Sequence, residues 1–279
     1  MDRMERIKKD FDRNEKYLKK DNALLSHYYY SYGRYLFNTA KGKEETSPSS
    51  RSNLLSQADD YLQKSLCLRH NQAQLTLERA DEAISLIQLG RIKKECATIE
   101  HFNKNTEKNE SEMEKAKSHY QKALVLTKDL LGDHELTSTC HKVLGDLFLT
   151  WRKKDLALAS YSAAKEMYKK LRLDSSESMA ILLKNYGRCL FFLRRHEESV
   201  QQLNEARDIA DKLAEQNKPT ICRANVYSTL AQILRCWKPD CQEAMPYARE
   251  AIEMQEFLDE ARLSDMEKIV ERGEKTLSK

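Results

Sequence analysis

Leu144-Gly145-Asp146-Leu147-Phe148, Tyr186-Gly187-Arg188-Cys189-Leu190 and Leu230-Ala231-Gln232-Ile233-Leu234 each set a small residue after a large one, at intervals of 42 and 44 residues. Twelve or thirteen residues after each small residue a second pattern recurs, as Ala157/Tyr161/Ala164, Ser199/Leu203/Ala206 and Ala244/Ala248/Ala251. Offsets of four and three lie on one face of a helix. The same triplet stands upstream at Ala116/Tyr120/Ala123 and, weaker, at Ala58/Leu62/Ser65. Antiparallel helices approach closely only where side chains are small, with larger residues one turn away filling the space beside them. One helical pair cannot bury both its faces, so neighbouring pairs must stack.

Composition agrees. The chain has 279 residues with only 7 glycines and 4 prolines, too few for the turn every 8–12 residues that a β-sandwich or barrel needs. The glycines are far apart, which excludes a Gly-rich phosphate loop. A charged fraction of 33% beside a hydrophobic fraction of 40% suits solvated helices with one apolar stripe each. The 48 basic and 44 acidic side chains leave a net charge of +4, too small to argue nucleic-acid binding alone. No apolar run reaches the roughly 18 residues of a membrane span, and Met1-Asp2-Arg3-Met4-Glu5-Arg6 has no apolar leader core. Seven scattered cysteines, an odd number, read as reduced thiols in a cytoplasmic protein.

The repeated residues resemble the tetratricopeptide repeat, strongly from 112 onwards and loosely before. One match reads His141, Leu144, Gly145, Phe148, Ala157, Tyr161, Ala164; the next reads Leu183, Tyr186, Gly187, Leu190, Ser199, Leu203, Ala206; a third begins at Tyr227. Tyr29, Tyr32, Gly33 and Leu36 supply an earlier first helix. The period of 42, and Leu131-Gly132-Asp133-His134 before a helix, are similar to the long-period variant of kinesin light chains and spindle-orientation adaptors. The resemblance implies an all-α fold, an α-solenoid wound as a right-handed superhelix of helical hairpins. The consensus proline after each second helix is missing, which predicts longer joints between repeats.

These readings give an amphipathic capping helix at 1–25, about five repeats over 26–258, and a capping helix at 259–279. Insertions fall near 41–53 and 90–111. Lys41–Asn53 reads as a loop. Leu77, Ala80, Ile84 and Ile87 read as the second repeat's first helix, with a loop at Asn103–Glu110 before the partner triplet at Ala116. Pro219 marks a helix start and Pro246 falls early in the last repeat's second helix. Ser264-Asp265-Met266-Glu267 reads as a capping box opening the final helix.

No nucleophile stands in a recognised catalytic motif, so no enzyme activity and no cofactor are expected. Cys236 and Cys241 have no further ligand near in sequence to complete a tetrahedral metal site, and read as a turn between helices. In the family the first helix of each repeat lines the concave surface. The positions implied to be open there include Tyr30, Arg34 and Phe37, then Lys142 and Asp146, then Lys184, Arg188 and Phe191, then Gln232 and Arg235. Five bases against one acid raise the local potential for an anionic ligand, with the aromatics as apolar contacts. The expected partner is an acidic and hydrophobic peptide segment. RNA in the same channel is the alternative, as is a sensor segment of a larger signalling protein; a homodimer through the exposed ends is compatible, and no membrane partner is expected. The family's chaperone-tail clamp fits poorly: Lys142, Lys184 and Asn185 are present, but Asp146 replaces an asparagine, and Asn225 and Thr229 stand where bases are needed.

Overall fold

A computed structural model describes residues 3–19, 21–42, 47–72, 76–216, 221–238 and 242–277. Described residues in regular structure are helical, and they form two compact units, Met1–Leu147 and Phe148–Lys279.

The first unit holds α1 (Arg3–Leu18), α2 (Asn22–Lys41), α3 (Pro48–Gln72), α4 (Thr76–Phe102), α5 (Thr106–Leu131) and most of α6 (Glu135–Thr150). The N-terminal helix stops at Leu18 instead of running through residue 24, because Asp21 caps a new helix by accepting from the amides of Ala23 and Leu24, each at 3.0 Å. Phe11 seats α1, with its ring 4.0 Å from Tyr32, 4.8 Å from Tyr28 and edge-on to Tyr61 at 4.9 Å. Burial, with Glu15 accepting from its hydroxyl, pushes Tyr29 up to about 12.

Helices α2 and α3 pair as the small-residue pattern requires: a methyl group on Gly33 would meet Leu62 at 2.8 Å and the Ala58 carbonyl at 3.2 Å. The stretch expected as loop is largely helix. Ser47 accepts from the Ser50 amide at 3.2 Å and Pro48 opens α3, so residues 48–53 are helical; residues 43–46 lie outside the described residues. The expected loop at Asn103–Glu110 also contracts, to residues 103–105. Asn105 caps α5 through the Lys108 amide at 3.2 Å, and residues 106–110 are its first turns. Nothing between Gly90 and Phe102 breaks a helix, so α4 runs 27 residues and α5 26. Gly90 is this hairpin's crossing residue: the fully buried ring of Tyr120 occupies the space its Cβ would need. The joint after α5 is short, three residues closed by Gly132 at φ +60°, although longer joints were expected.

The second unit holds the end of α6, then α7 (Lys154–Lys170), α8 (Glu177–Phe192), α9 (His196–Gln216), α10 (Ile221–Trp237), α11 (Met245–Glu253), a 3-10 turn (Gln255–Phe257) and α12 (Glu260–Leu277). Here Gly187 packs on Leu203 and the Ser199 carbonyl, and the Ser199 hydroxyl donates to the Gly187 carbonyl at 2.7 Å. Ala231, Ala244, Ala248 and Ala251 are buried in one core with Leu203, Met266 and Ile269. Pro246 falls in the first turn of α11, where its missing amide costs little. Asp259, not Ser264, caps α12 by accepting from the Arg262 amide at 2.9 Å; Ser264–Glu267 are inside the helix. Pro219 and Cys241 lie outside the described residues.

The scarcity of glycine has a structural counterpart. Lys104, Arg152, Arg172 and Arg194 take positive φ of 55–62° immediately after helices. The next amide in each case reaches back five residues, Asn105 to Glu100, Lys153 to Phe148, Leu173 to Tyr168 and Arg195 to Leu190, at 2.8–3.0 Å. This is the Schellman stop, which normally uses glycine; the basic side chains add a favourable interaction with the helix C-terminal dipole.

Candidate functional site

The ten predicted groove residues divide between the two units. On α2, Arg34 is exposed but Tyr30 and Phe37 are buried. Tyr30 lies under the Arg69 guanidinium, 4.8 Å from the ring centroid. Arg69 is itself buried and donates to the Asp81 carbonyl at 2.6 Å and to Ser85 at 2.7 Å, so Tyr30 ties α2 to α3 and α4. Burial draws the Arg69 pKa down from its ordinary value. The expectation that Tyr30 and Phe37 face open solvent fails because the long α4 supplies a third wall. Lys142 and Asp146 stand half-buried one turn apart on α6.

In the second unit Arg188 is exposed on α8, with Lys184 half-buried one turn before it. Phe191 packs at the edge of the core, 4.9 Å from His196, which stacks on Trp237 at 5.7 Å. Gln232 and Arg235 occupy on α10 the register that Arg188 and Phe191 occupy on α8, 44 residues earlier. Gln232 donates to Asp265 of α12 at 3.4 Å, and Arg262 of α12 donates to Asn225, so α12 runs alongside α10 at this face.

That placement adds bases the sequence reading did not find. Arg235 shares a cleft of about 260 Å³ with Lys268, Glu271, Arg272 and Lys275. Residues 268, 272 and 275 follow the four-and-three spacing of one helical face. The available signal was Gly273, buried and 42 residues after Ala231, which sets α12 where the first helix of a further repeat stands. Lys275 pairs with Glu271 at 2.5 Å and holds that carboxyl below its ordinary range. The cleft thus carries Arg235, Lys268, Arg272 and Lys275 against Glu271. Among the described residues no group of three or more His, Cys, Asp or Glu is arranged to hold a metal ion, and no described helix is long and apolar enough to cross a membrane.

Consecutive antiparallel hairpins, crossing at Gly or Ala and presenting their first helices side by side, define a helical-repeat solenoid. The fold is of the tetratricopeptide-repeat type, and the tetratricopeptide-repeat family model matches residues 95–170 of the chain. Its structure is similar to that of BtubC (BKLC) from P. vanneervenii, at 17% identity over 80% of this chain and 88% of that one, with a TM-score of 0.63. The nearly identical TPR-like repeats of a putative kinesin light chain from Podosopora anserina superpose with a TM-score of 0.54, at 12% identity over 80% of this chain and 94% of that one. Aspartyl phosphate phosphatase F from Bacillus subtilis gives 0.60 at 14% identity, covering 94% of this chain and 61% of that one. No curated protein matches the chain in sequence. The tetratricopeptide-repeat family is typically non-catalytic.

Proposed function

We propose that the protein is a non-catalytic scaffold that holds an acidic, partly apolar peptide segment of a partner on the face formed by α8, α10 and α12. The observation that carries this reading is the cleft between α10 and α12, which gathers four bases against one acid in a chain whose overall charges nearly cancel. Arg188 and Arg235 would make charge-assisted hydrogen bonds with carboxylates, and Phe191 offers an apolar wall. The first unit contributes Arg34 at its own surface, whereas Tyr30 and Phe37 serve its core. A cytoplasmic setting suits the six described cysteines, all free thiols.

Fluorescence anisotropy with peptides alternating Asp/Glu and aromatic residues tests the proposal. The expected result is saturable binding that the double reversal Lys184→Glu/Arg188→Glu removes while helical circular dichroism is unchanged. Unaltered affinity in that variant overturns the assignment. Single-stranded RNA competing with a log–log salt slope of several phosphates would replace the peptide reading with the nucleic-acid one.

A further inference from the structure

The first unit contains a cavity that the proposed scaffold does not use. It is about 630 Å³, within the range of small-ligand sites, and opens between α3 and α5 above the start of α4. Leu66, Leu86, Val125 and Leu126 give it an apolar lining, and Lys122 and Asp129 of α5 line it as well. Val125 keeps 59% of its surface exposed, an apolar side chain with nothing described lying over it. Cys67 lines the same cavity with an exposed thiol.

The thiol has a base beside it. His70 follows Cys67 by three residues on α3, which brings their Cβ atoms to about 5–6 Å, and His70 lines the cavity as well. Glu82 of α4 lies 3.1 Å from His70 Nδ1. A neutral imidazole donating Nδ1–H to that carboxylate leaves Nε2 as a proton acceptor, the order of groups that activates a thiol toward acyl carbon. The remaining cysteines make a useful contrast. Burial pushes Cys96, Cys140 and Cys189 each up to about 11, which keeps them as unreactive thiols. Cys236 is exposed like Cys67 and lines none of the cavities described above.

We propose that Cys67 is a site of S-acylation whose aliphatic chain lies in the α3–α4–α5 cavity. The donor is a long-chain acyl thioester. The Cys67 sulfur, its proton passing to His70 Nε2, attacks the thioester carbonyl; the new carbon–sulfur bond forms, the old one breaks, and the departing thiolate takes the proton from His70. No oxidant or reductant is needed. Such a chain would be held by the protein instead of by a bilayer, because each methylene leaves water for aliphatic contact in either setting.

The folded protein is incubated with the acetyl and myristoyl thioesters of one small thiol, so that both donors have the same leaving group, and peptide mass spectrometry reads Cys67 and Cys236 separately. Cys67 is expected to take the myristoyl group at least about tenfold faster than the acetyl group, Cys236 showing no such preference. Val125→Glu, at an exposed position that tolerates charge, should abolish the chain-length preference and leave acetyl transfer to Cys67 intact. His70→Gln should slow both donors at Cys67 about tenfold without changing their ratio. Equal chain-length dependence at the two cysteines, or a preference that survives Val125→Glu, overturns the site. An unchanged rate in His70→Gln overturns the part given to the imidazole.

Discussion

The two units use one crossing chemistry at two lengths. In the first, α3, α4 and α5 run 25, 27 and 26 residues, and Gly90 follows Gly33 by 57 positions. In the second, α7, α8 and α9 run 17, 16 and 21 residues, and Ala231 follows Gly187 by 44. The crossing residue fixes which helices pair and at what distance. The caps, Asp21, Asn105 and the left-handed Lys and Arg stops, fix where each helix ends. Length can therefore vary between repeats while the contact that defines the repeat stays constant. A further difference follows from what faces the small residue: a tyrosine ring at Gly90, a leucine at Gly33 and Gly187.

The sharpest break of this comparison is Gly90→Ala. A methyl group would overlap the buried Tyr120 ring, a rigid neighbour, and should cost about 3 kcal/mol even after the gain in helix propensity of about 1 kcal/mol. Both tryptophans, Trp151 and Trp237, are in the second unit. Urea unfolding of this variant should therefore lose ellipticity before tryptophan fluorescence changes. Gly187→Ala, which meets one branch point of Leu203 and the Ser199 carbonyl instead of a ring, should cost less, about 2 kcal/mol. On the binding side, Lys184→Glu/Arg188→Glu should weaken an acidic peptide about a hundredfold, roughly 2.7 kcal/mol, whereas Arg34→Glu in the first unit should change affinity less than threefold. Arg194→Gly removes the strain of a left-handed non-glycine residue and should stabilise the second unit by about 1 kcal/mol, read as a higher urea midpoint.

The smallest effect is on pH. Burial lowers the pKa of His119 and His141, both in the first unit. A histidine whose folded pKa lies below its ordinary value contributes stability that is whole above about pH 6.5 and is lost as the pH falls through the folded value. Mild acid should raise amide exchange in α5 and α6 first, and His119→Gln should reduce that sensitivity.

The hairpin pattern was legible in the second unit because Gly187, Ser199 and Leu203 are close in sequence and recur in register. The α4–α5 hairpin was read less well. Gly90 looked like the beginning of a connection, since a glycine with no turn partner gives no local sign that a tyrosine 30 residues later will fill its space. The loop readings at 48–53 and 106–110 failed for a related reason: polar residues with good caps form solvated first turns as readily as loops. Of the predicted groove residues, Arg188 and Arg235 are placed as open or cleft-lining bases, while Tyr30 is enclosed by Arg69 of α3, which Asp81 and Ser85 of α4 hold over it.

Periodicity and the small-residue spacing by themselves determined that this chain folds as helices, that it pairs them in series, and, outside the α4–α5 hairpin, which small residues stand at the crossings. Both are local properties, repeated every few residues and independent of what lies far along the chain. Tertiary structure alone decided which polar side chains share a space: α12 beside α10, bringing Lys268, Arg272 and Lys275 to Arg235, and α3 and α5 both packed on α4, bringing Cys67 and His70 to a largely apolar cavity. Those meetings depend on the angle and offset between helices, which are set by side chains distant in sequence.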